Sequence, residues 1–426
     1  MDGRDAVAPP RPLSPATSRY ALALLVMVYA VAMLDRTILT VLLEPIREEF
    51  QLSDTQLGFV SGLTFAIAYS VGALPAGYLA DRVRRRVLLA GIVIAWSGLT
   101  FVSSFATGFL FLCLIRLGVG LAEAGEAPTI MSLVGDLFPQ RRRATAVSLI
   151  YLGVPFGLLI GFLVAGSIAG DYGWRAAMMT AGAPGILLGL VLFFTLPDPP
   201  RGANDPADYA AADEARGSGF RLIAGSPPLL HALIAAGLAS IVASVASVWM
   251  PSFFIRKFGL GIGVVGPYFA LVLGVSGFFG SLFCGPLADW LGGGRSSRIA
   301  RVSAGFIFLL GPALFLTTQA GAFWLALGFA ALLNFAVPGY LGSLHGLVLG
   351  LTPARRRGFM VALLAIMINL VGYGIGPQLA GILSDMFARS GAEAPLEKAV
   401  AVMSLCAVWS AGHLLYAARL LRLSGR

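Results

Sequence analysis

Apolar runs long enough to cross a membrane recur along the whole of this chain, and no other feature restricts its fold as strongly. Twelve are read, at roughly 20–43, 57–79, 87–105, 108–135, 144–168 and 175–196, then at 229–255, 263–288, 299–319, 322–349, 358–383 and 396–422. A helix of about 20 residues crosses about 30 Å of hydrocarbon. No water is available there, so each run must pair its own backbone groups, which a helix does. Composition agrees. Hydrophobic residues are 58% of the 426 and charged residues 12%, too little polar surface for a soluble domain of this length. The first run exceeds a signal-peptide core and is expected to be retained behind a polar, proline-rich tail at 1–19.

The runs fall into two sets of six. Between them lies "PDPPRGANDPADYAAADEARGSGFRLIAGSPP", residues 197–228, rich in Pro, Gly and charge, which reads as a solvated linker. The expected organisation is a tail at 1–19, a first bundle at 20–196, the linker at 197–228 and a second bundle at 229–426. Arginines cluster at Arg82/Arg84/Arg85/Arg86, Arg141/Arg142/Arg143, Arg295/Arg298/Arg301 and Arg355/Arg356/Arg357, all on the side of both termini and the linker. The first loop on the other side, "EPIREEFQLSDTQ", is net acidic. Lys/Arg excess marks the cytoplasmic face, so an inner-membrane protein with both termini inside is expected. The net charge of +9 then reports topology. Nucleic-acid binding is not expected, because the basic runs alternate with apolar spans.

The halves repeat. "GYLADRVRRR" at 77–86 matches "GPLADWLGGG" at 285–294, and "FPQRRRATAVSL" at 138–149 matches "TPARRRGFMVAL" at 352–363. Gly166 and Asp171 recur as Gly381 and Asp385 at nearly the same offset. Duplicated membrane bundles with a midplane cavity between them are a transporter architecture.

These motifs resemble the major facilitator superfamily over essentially the whole chain. "GYLADRVRRR" resembles its signature between helices 2 and 3, with Arg84 where the family usually has Gly. "RLGVG" at 116–120 is similar to its helix 4 arginine motif, and "GVPFG" at 153–157 is a degraded form of a helix 5 motif linked to antiporters. Within the superfamily the chain resembles the bacterial spinster branch through "LDR" at 34–36, "FQLSDTQLG" at 50–58, "WSGLT" at 96–100, and "RLGVGLAEAG" at 116–125 with Pro128. The family tends to read Gly-Glu-Ala where this chain has Ala122-Glu123-Ala124. The resemblance implies an all-α membrane fold of twelve helices in two pseudo-symmetric six-helix bundles. It also implies lipid transport, several family members acting on sphingosine-1-phosphate or lysophospholipids.

Charges inside the spans are the candidate site. Arg116 and Glu123 stand seven residues apart, two turns along one helix face, and intramembrane ionisable groups are functional by default. Asp35 and Arg36 are adjacent, so their side chains leave the helix about 100° apart and cannot aim at one point. The resemblance implies that helices 1 and 4 line the cavity. Asp35, Arg36, Arg116 and Glu123 sum to zero charge, which permits a paired network that exchanges a proton as the cavity switches. The plain alternative is a static ion pair that pins helices. Glu126 is expected nearer the cytoplasm, at the wet mouth, doing little.

The second half offers polar rather than charged groups: Ser240, Ser244, Ser247, Asn334, Tyr340, Asn369, Tyr373 and Gln378. Taken singly, most such groups serve helix packing. A charged half facing an apolar half suits an amphiphile, its headgroup on Arg36 or Arg116 beside Glu123, with Asn334, Tyr340, Asn369 and Tyr373 along the tail. At the basic end, the resemblance implies a latch between halves formed by Gly77, Asp81, Arg82, Arg86 and Asp289. An aspartate there can accept backbone N–H groups at a neighbouring helix N-terminus.

Other chemistries find no footing. "GIGVVG" at 261–266 joins two membrane helices and lacks the βαβ context of a dinucleotide site, and no phosphate-binding loop sequence occurs. Cys113, Cys284 and Cys406 lie in apolar runs without disulfide or zinc spacing. His231, His345 and His413 are far apart in sequence, on different spans. No cofactor or metal is expected. The leading expectation is a monomeric secondary transporter of a lipid-like amphiphile, with drug efflux on the same logic. The rivals are a lipid-modifying membrane enzyme, which would need a convergent catalytic constellation, and a channel, which is usually built from subunits around a pore.

Overall fold

A computed structural model describes residues 14–200, 219–353 and 356–424, and every regular element among them is helical. Most of the expected tail, the central linker and Arg355 lie outside the described residues. Helix α1 is Pro15–Phe50. Helix α2 is Asp54–Gly58, a π-helical turn Phe59–Leu63, and Thr64–Arg82. Helix α3 is Arg85–Ser103, and α4 is Phe109–Glu123 followed by Glu126–Leu137. Gln140–Tyr151 leads into Gly153–Thr195, where Gly173 (φ 81, ψ 166) marks the corner between α5 and α6. In the second half α7 is Pro227–Phe258, α8 Ile262–Gly292, α9 Ser296–Gln319 and α10 Phe323–Gly350. Helix α11 is Arg357–Ile366, a π-helical stretch Met367–Ile375, and Gly376–Arg389. Helix α12 is Pro395–Met403 with Leu405–Leu423.

Ten continuous stretches among the described residues are long and apolar enough to cross a membrane. Two features separate ten from twelve. Helices α5 and α6 run together through Gly173, and α4 breaks at 124–125 into pieces of 15 and 12 residues. The acidic stretch after the first run is not a loop. Glu44, Arg47, Glu48 and Glu49 form the last turns of α1, where Arg47 pairs with Glu44 at 2.7 Å, and Asp54 opens α2. Only residues 51–53 connect α1 to α2. Gln51 turns the chain at φ 51. A reciprocal cap then starts α2, with Gln56 N–H donating to Ser53 Oγ at 3.3 Å and Ser53 N–H to Gln56 Oε1 at 2.9 Å.

Two apolar clusters organise the interior. One belongs wholly to the first half and sits toward the arginine clusters, around Leu25, Trp96 and Leu133. The other fuses both halves at the far end, joining Leu42, Leu43 and Phe162 to Trp249, Phe253 and Phe269. Small residues allow the approach there: a Cβ added to Gly166 would stand 2.8 Å from Gly266 Cα. At the basic end, Cβ atoms added to Gly77 or Gly285 would have nothing within 4 Å. The halves are packed together at the far end and parted at the basic end.

Candidate functional site

Adjacent positions on α1 send Asp35 and Arg36 to different neighbours. Asp35 is buried toward α3 and accepts a hydrogen bond from Ser97 Oγ at 3.4 Å, while its Oδ1 has no partner. Arg36 turns to α4. Its Nε and Nη2 both donate to Glu123 Oε2, at 2.6 and 2.5 Å. The Arg36 side chain is 30% exposed and that of Glu123 0%, so water reaches the pair only from the arginine side. The Arg36 guanidinium lies 5.1 Å from the Phe65 ring centroid and 5.8 Å from that of Tyr69. Arg116 is 5.0 Å from the same Phe65 ring and leaves a buried Nε unpartnered. A chamber of about 10 Å³, room for at most one water, is lined by Asp35, Thr100, Ser103, Arg116 and Met178 among others.

The expected four-charge network is therefore one ion pair with two charges held apart. Asp35 and Arg116 form no ion pair among the described residues. Asp35 leaves α1 on the α3 side, away from Arg36, and Arg116 is turned to the face of Phe65. Glu126 also differs from expectation. It is 5% exposed and its Oε1 has no partner. The break in α4 starts a new helix at Glu126 and turns it inward instead of leaving it at a wet mouth.

In the second half, Asn334 Nδ2 donates to Leu273 O at 2.6 Å and Ser276 Oγ at 3.2 Å, fastening α10 to α8. Tyr340 is 2% exposed, inside the apolar core. Ser244 donates to Gly372 O at 2.7 Å, and Ser240 is fully buried. These positions, proposed from sequence as cavity lining, are packing positions in this structure. Asn369 and Tyr373 differ. They lie on the π-helical stretch of α11, where Tyr373 is exposed and Asn369 Nδ2 bonds its own helix at Ala365 O, 2.9 Å.

At the basic end the Asp81 side chain lies outside the described part of the structure. Arg82 lies over the Tyr78 ring at 3.9 Å, and the Arg86 backbone N–H donates to Asp198 Oδ2 at 3.5 Å. Asp289 is exposed, with no partner among the described residues. The buried member of the cluster is Arg85, 1% exposed. It pairs with Asp136 and with Asp198 at 3.0 Å, and it donates to Ser132 O and Pro199 O. It ties α3 to α4 and to the end of α6, all within the first half. Four similar arginines gave no means of choosing it, although lone acids at 136 and 198 were a usable signal.

The far end carries a cluster that sequence reasoning missed. Arg256 on α7 donates Nε to Glu44 at 2.8 Å, and Nη1 and Nη2 to the two oxygens of Asp54 at 2.8 and 2.7 Å. Ser384 Oγ donates to Asp54 at 2.6 Å, and the Asp385 carboxylate accepts from Asp54 N and Thr55 N at 3.1 and 3.0 Å. Asp385 thus caps the start of α2 from across the seam. Its repeat partner Asp171 is exposed and makes no such bond among the described residues. A basic residue closing one helix, opposite the acids of another half, was the available signal. His231 and His413, far apart in sequence, meet at 2.7 Å between their Nδ1 atoms, one ring donating to the other.

Comparison with known proteins places these features. The Major Facilitator Superfamily matches residues 25–377. An MFS-type efflux pump of Mycolicibacterium smegmatis is 28% identical over 374 residues, 86% of this chain and 84% of that protein. A sphingosine-1-phosphate transporter of Xenopus tropicalis is 25% identical over 396 residues, 85% of this chain and 73% of that one. Among solved structures, a bacterial homologue of the human lysosomal transporter spinster, inward-facing and unoccupied, superposes with a TM-score of 0.86 at 24% identity, over 96% of this chain and 98% of that one.

Proposed function

The chain belongs to the Major Facilitator Superfamily, and on that premise we propose that it carries a lipid-like amphiphile across the bacterial inner membrane by alternating access. The observation that carries the reading is the Arg36–Glu123 pair, buried on its acidic side and wet on its basic side. A guanidinium held this way by a single carboxylate oxygen can still take a phosphate or carboxylate headgroup. Exposed Tyr373 and the apolar wall of α11 offer the tail a surface. The similarity to a sphingosine-1-phosphate transporter supports a lysolipid-sized cargo.

With the basic end cytoplasmic, the arrangement is the inward-open state, the Arg256 cluster its outer closure and the Asp81–Asp289 region the latch that closes in the opposite state. A proton arriving on Glu123 frees Arg36 for the headgroup, which couples proton and substrate. The similarity to an efflux pump favours a second cargo class, small amphipathic drugs, on the same machinery.

The test is flux in proteoliposomes loaded with sphingosine-1-phosphate, a lysophospholipid or an amphipathic dye, with and without a pH gradient. Counterflow with one cargo supports a carrier. Arg36→Ala is expected to abolish it. Full transport by Arg36→Ala, with only thermal stability reduced, would make the pair a packing contact.

A further inference from the structure

The turn between α2 and α3 and the end of α6 bound an open cavity of about 550 Å³. Arg82, Arg84, Arg85 and Arg86 line one wall, and residues 195–200 line the other. Arg85 is committed, holding Asp198 at 3.0 Å and Asp136 behind it. Asp198 also accepts from the Arg86 backbone N–H at 3.5 Å. The Arg82 guanidinium lies over the Tyr78 ring, and those of Arg84 and Arg86 have no partner among the described residues. Four arginines against two aspartates leave a net charge of +2.

An apolar track leads into this cavity. Back from Thr195, exposed Phe194, Val191, Leu190 and Leu187 follow one face of α6, at the i, i+3, i+4, i+7 spacing of a helical stripe. On α3, exposed Val87 follows Arg86. In a membrane span such a stripe faces acyl chains. The repeat shows that the cationic wall belongs to one half. Arg84, Arg85 and Arg86 align with Gly292, Gly293 and Gly294 of "GPLADWLGGG", so the matching turn of the second half has no side chains to offer. Both turns still end on an arginine at the helix cap, Arg84 before α3 and Arg295 before α9.

We infer that this cavity binds the headgroup of an anionic glycerophospholipid from the surrounding membrane, its phosphate on Arg84 and Arg86 and its tails along the α6 stripe. Guanidinium groups meet phosphate through charge-assisted, paired hydrogen bonds. Basic pockets at the ends of membrane helices suit anionic headgroups. The volume is that of a small-molecule site and leaves room for a glycerol headgroup beside the phosphate. The occupant is a resident lipid and not the cargo, so the inference needs a membrane but no particular substrate. Bound there, it braces α3 against α6 beside the Arg85 tie.

The test counts bound molecules on the full chain in detergent micelles by native mass spectrometry. The titrants are dioleoylphosphatidylglycerol, dioleoylphosphatidylcholine and soluble sn-glycerol 3-phosphate. The wild type is expected to bind phosphatidylglycerol about tenfold more tightly than phosphatidylcholine. Arg84→Ala is expected to weaken phosphatidylglycerol about fivefold and to leave phosphatidylcholine unchanged. Arg295→Ala removes the same charge at the matching cap of the other half, with an expected loss below about twofold. Thr195→Trp fills the cavity without changing its charge, and it is expected to weaken phosphatidylglycerol as much as Arg84→Ala does.

Equal losses in Arg84→Ala and Arg295→Ala would mean diffuse attraction to a basic face and would overturn the site. So would full phosphatidylglycerol binding by Thr195→Trp, or a wild type that does not prefer phosphatidylglycerol. Binding of sn-glycerol 3-phosphate as tight as that of phosphatidylglycerol would make the occupant a free phosphate and overturn the lipid assignment. A rise in thermal midpoint with phosphatidylglycerol, kept by Arg295→Ala and lost in both Arg84→Ala and Thr195→Trp, would support the site by a second measurement.

Discussion

At the far end of the molecule, charges reach from one half to the other: Arg256 of α7 forks onto Asp54 of α2 and touches Glu44 of α1, while Asp385 of α11 caps the start of α2. At the basic end, the buried charge stays at home. Arg85 binds Asp136 and Asp198 of its own half, while Asp289 faces outward and Gly77 and Gly285 meet nothing. The far end spends its ionic contacts on a seam between bodies, and the basic end spends them on making one body rigid. A machine that rocks two bodies needs both kinds, because rigid halves transmit the rupture of a seam to the opposite end.

The difference can be broken from either side. Arg85→Ala has the largest expected effect. It removes the buried guanidinium that Asp136 and Asp198 share, and loss of one partner of a buried pair costs about 3–5 kcal/mol. A drop in thermal midpoint is expected with no change in the distance between spin labels at Glu48 and Glu393 across the far end. A lengthened distance would mean that Arg85 acts on the seam as well.

Asp54→Ala comes next. It removes the acceptor for the Arg256 fork and for Ser384, at a partly wet site, with an expected cost of about 2–3 kcal/mol to the closed seam. Here the Glu48–Glu393 distance is expected to lengthen, with little change in the unfolding midpoint of the first half. An unchanged distance would leave apolar packing as the closure.

Gly166→Ala is expected to loosen the same seam by about 1–2 kcal/mol, because the added Cβ meets Gly266 and Pro267 at under 3 Å. Gly77→Ala, facing open space, is the matched control at the other end. If both alter the spin-label distance equally, the contrast between the ends is wrong.

The smallest effect sharpens the comparison between repeats. Asp385→Asn is expected to cost about 1 kcal/mol through the cap on α2, and Asp171→Asn less than about 0.5 kcal/mol. Denaturation midpoints of the two variants check this. Equal shifts would restore the symmetry that their sequence spacing suggests.

Spans and intramembrane charges were legible in the sequence because each is local. Whether a run can cross hydrocarbon depends on its own twenty or so residues, and Asp35 or Glu123 stands out against an apolar run wherever its partner is. The capped turn between α1 and α2 is equally local, written in Ser53 and Gln56. Partners were not legible. Arg36 ignores Asp35 beside it and pairs with Glu123, 87 residues away, since neighbours on a helix point about 100° apart and a partner must come from another helix. The same reason hid Arg256 with Asp54, 202 residues apart, and the meeting of His231 with His413. The inward turn of Glu126 needed the break in α4, and which of four similar arginines is buried needed the packing of three helices. One-dimensional solvation determined where this chain crosses the membrane and which residues are costly there; only the tertiary structure, by setting helix rotation and neighbour, decided what each of those residues holds.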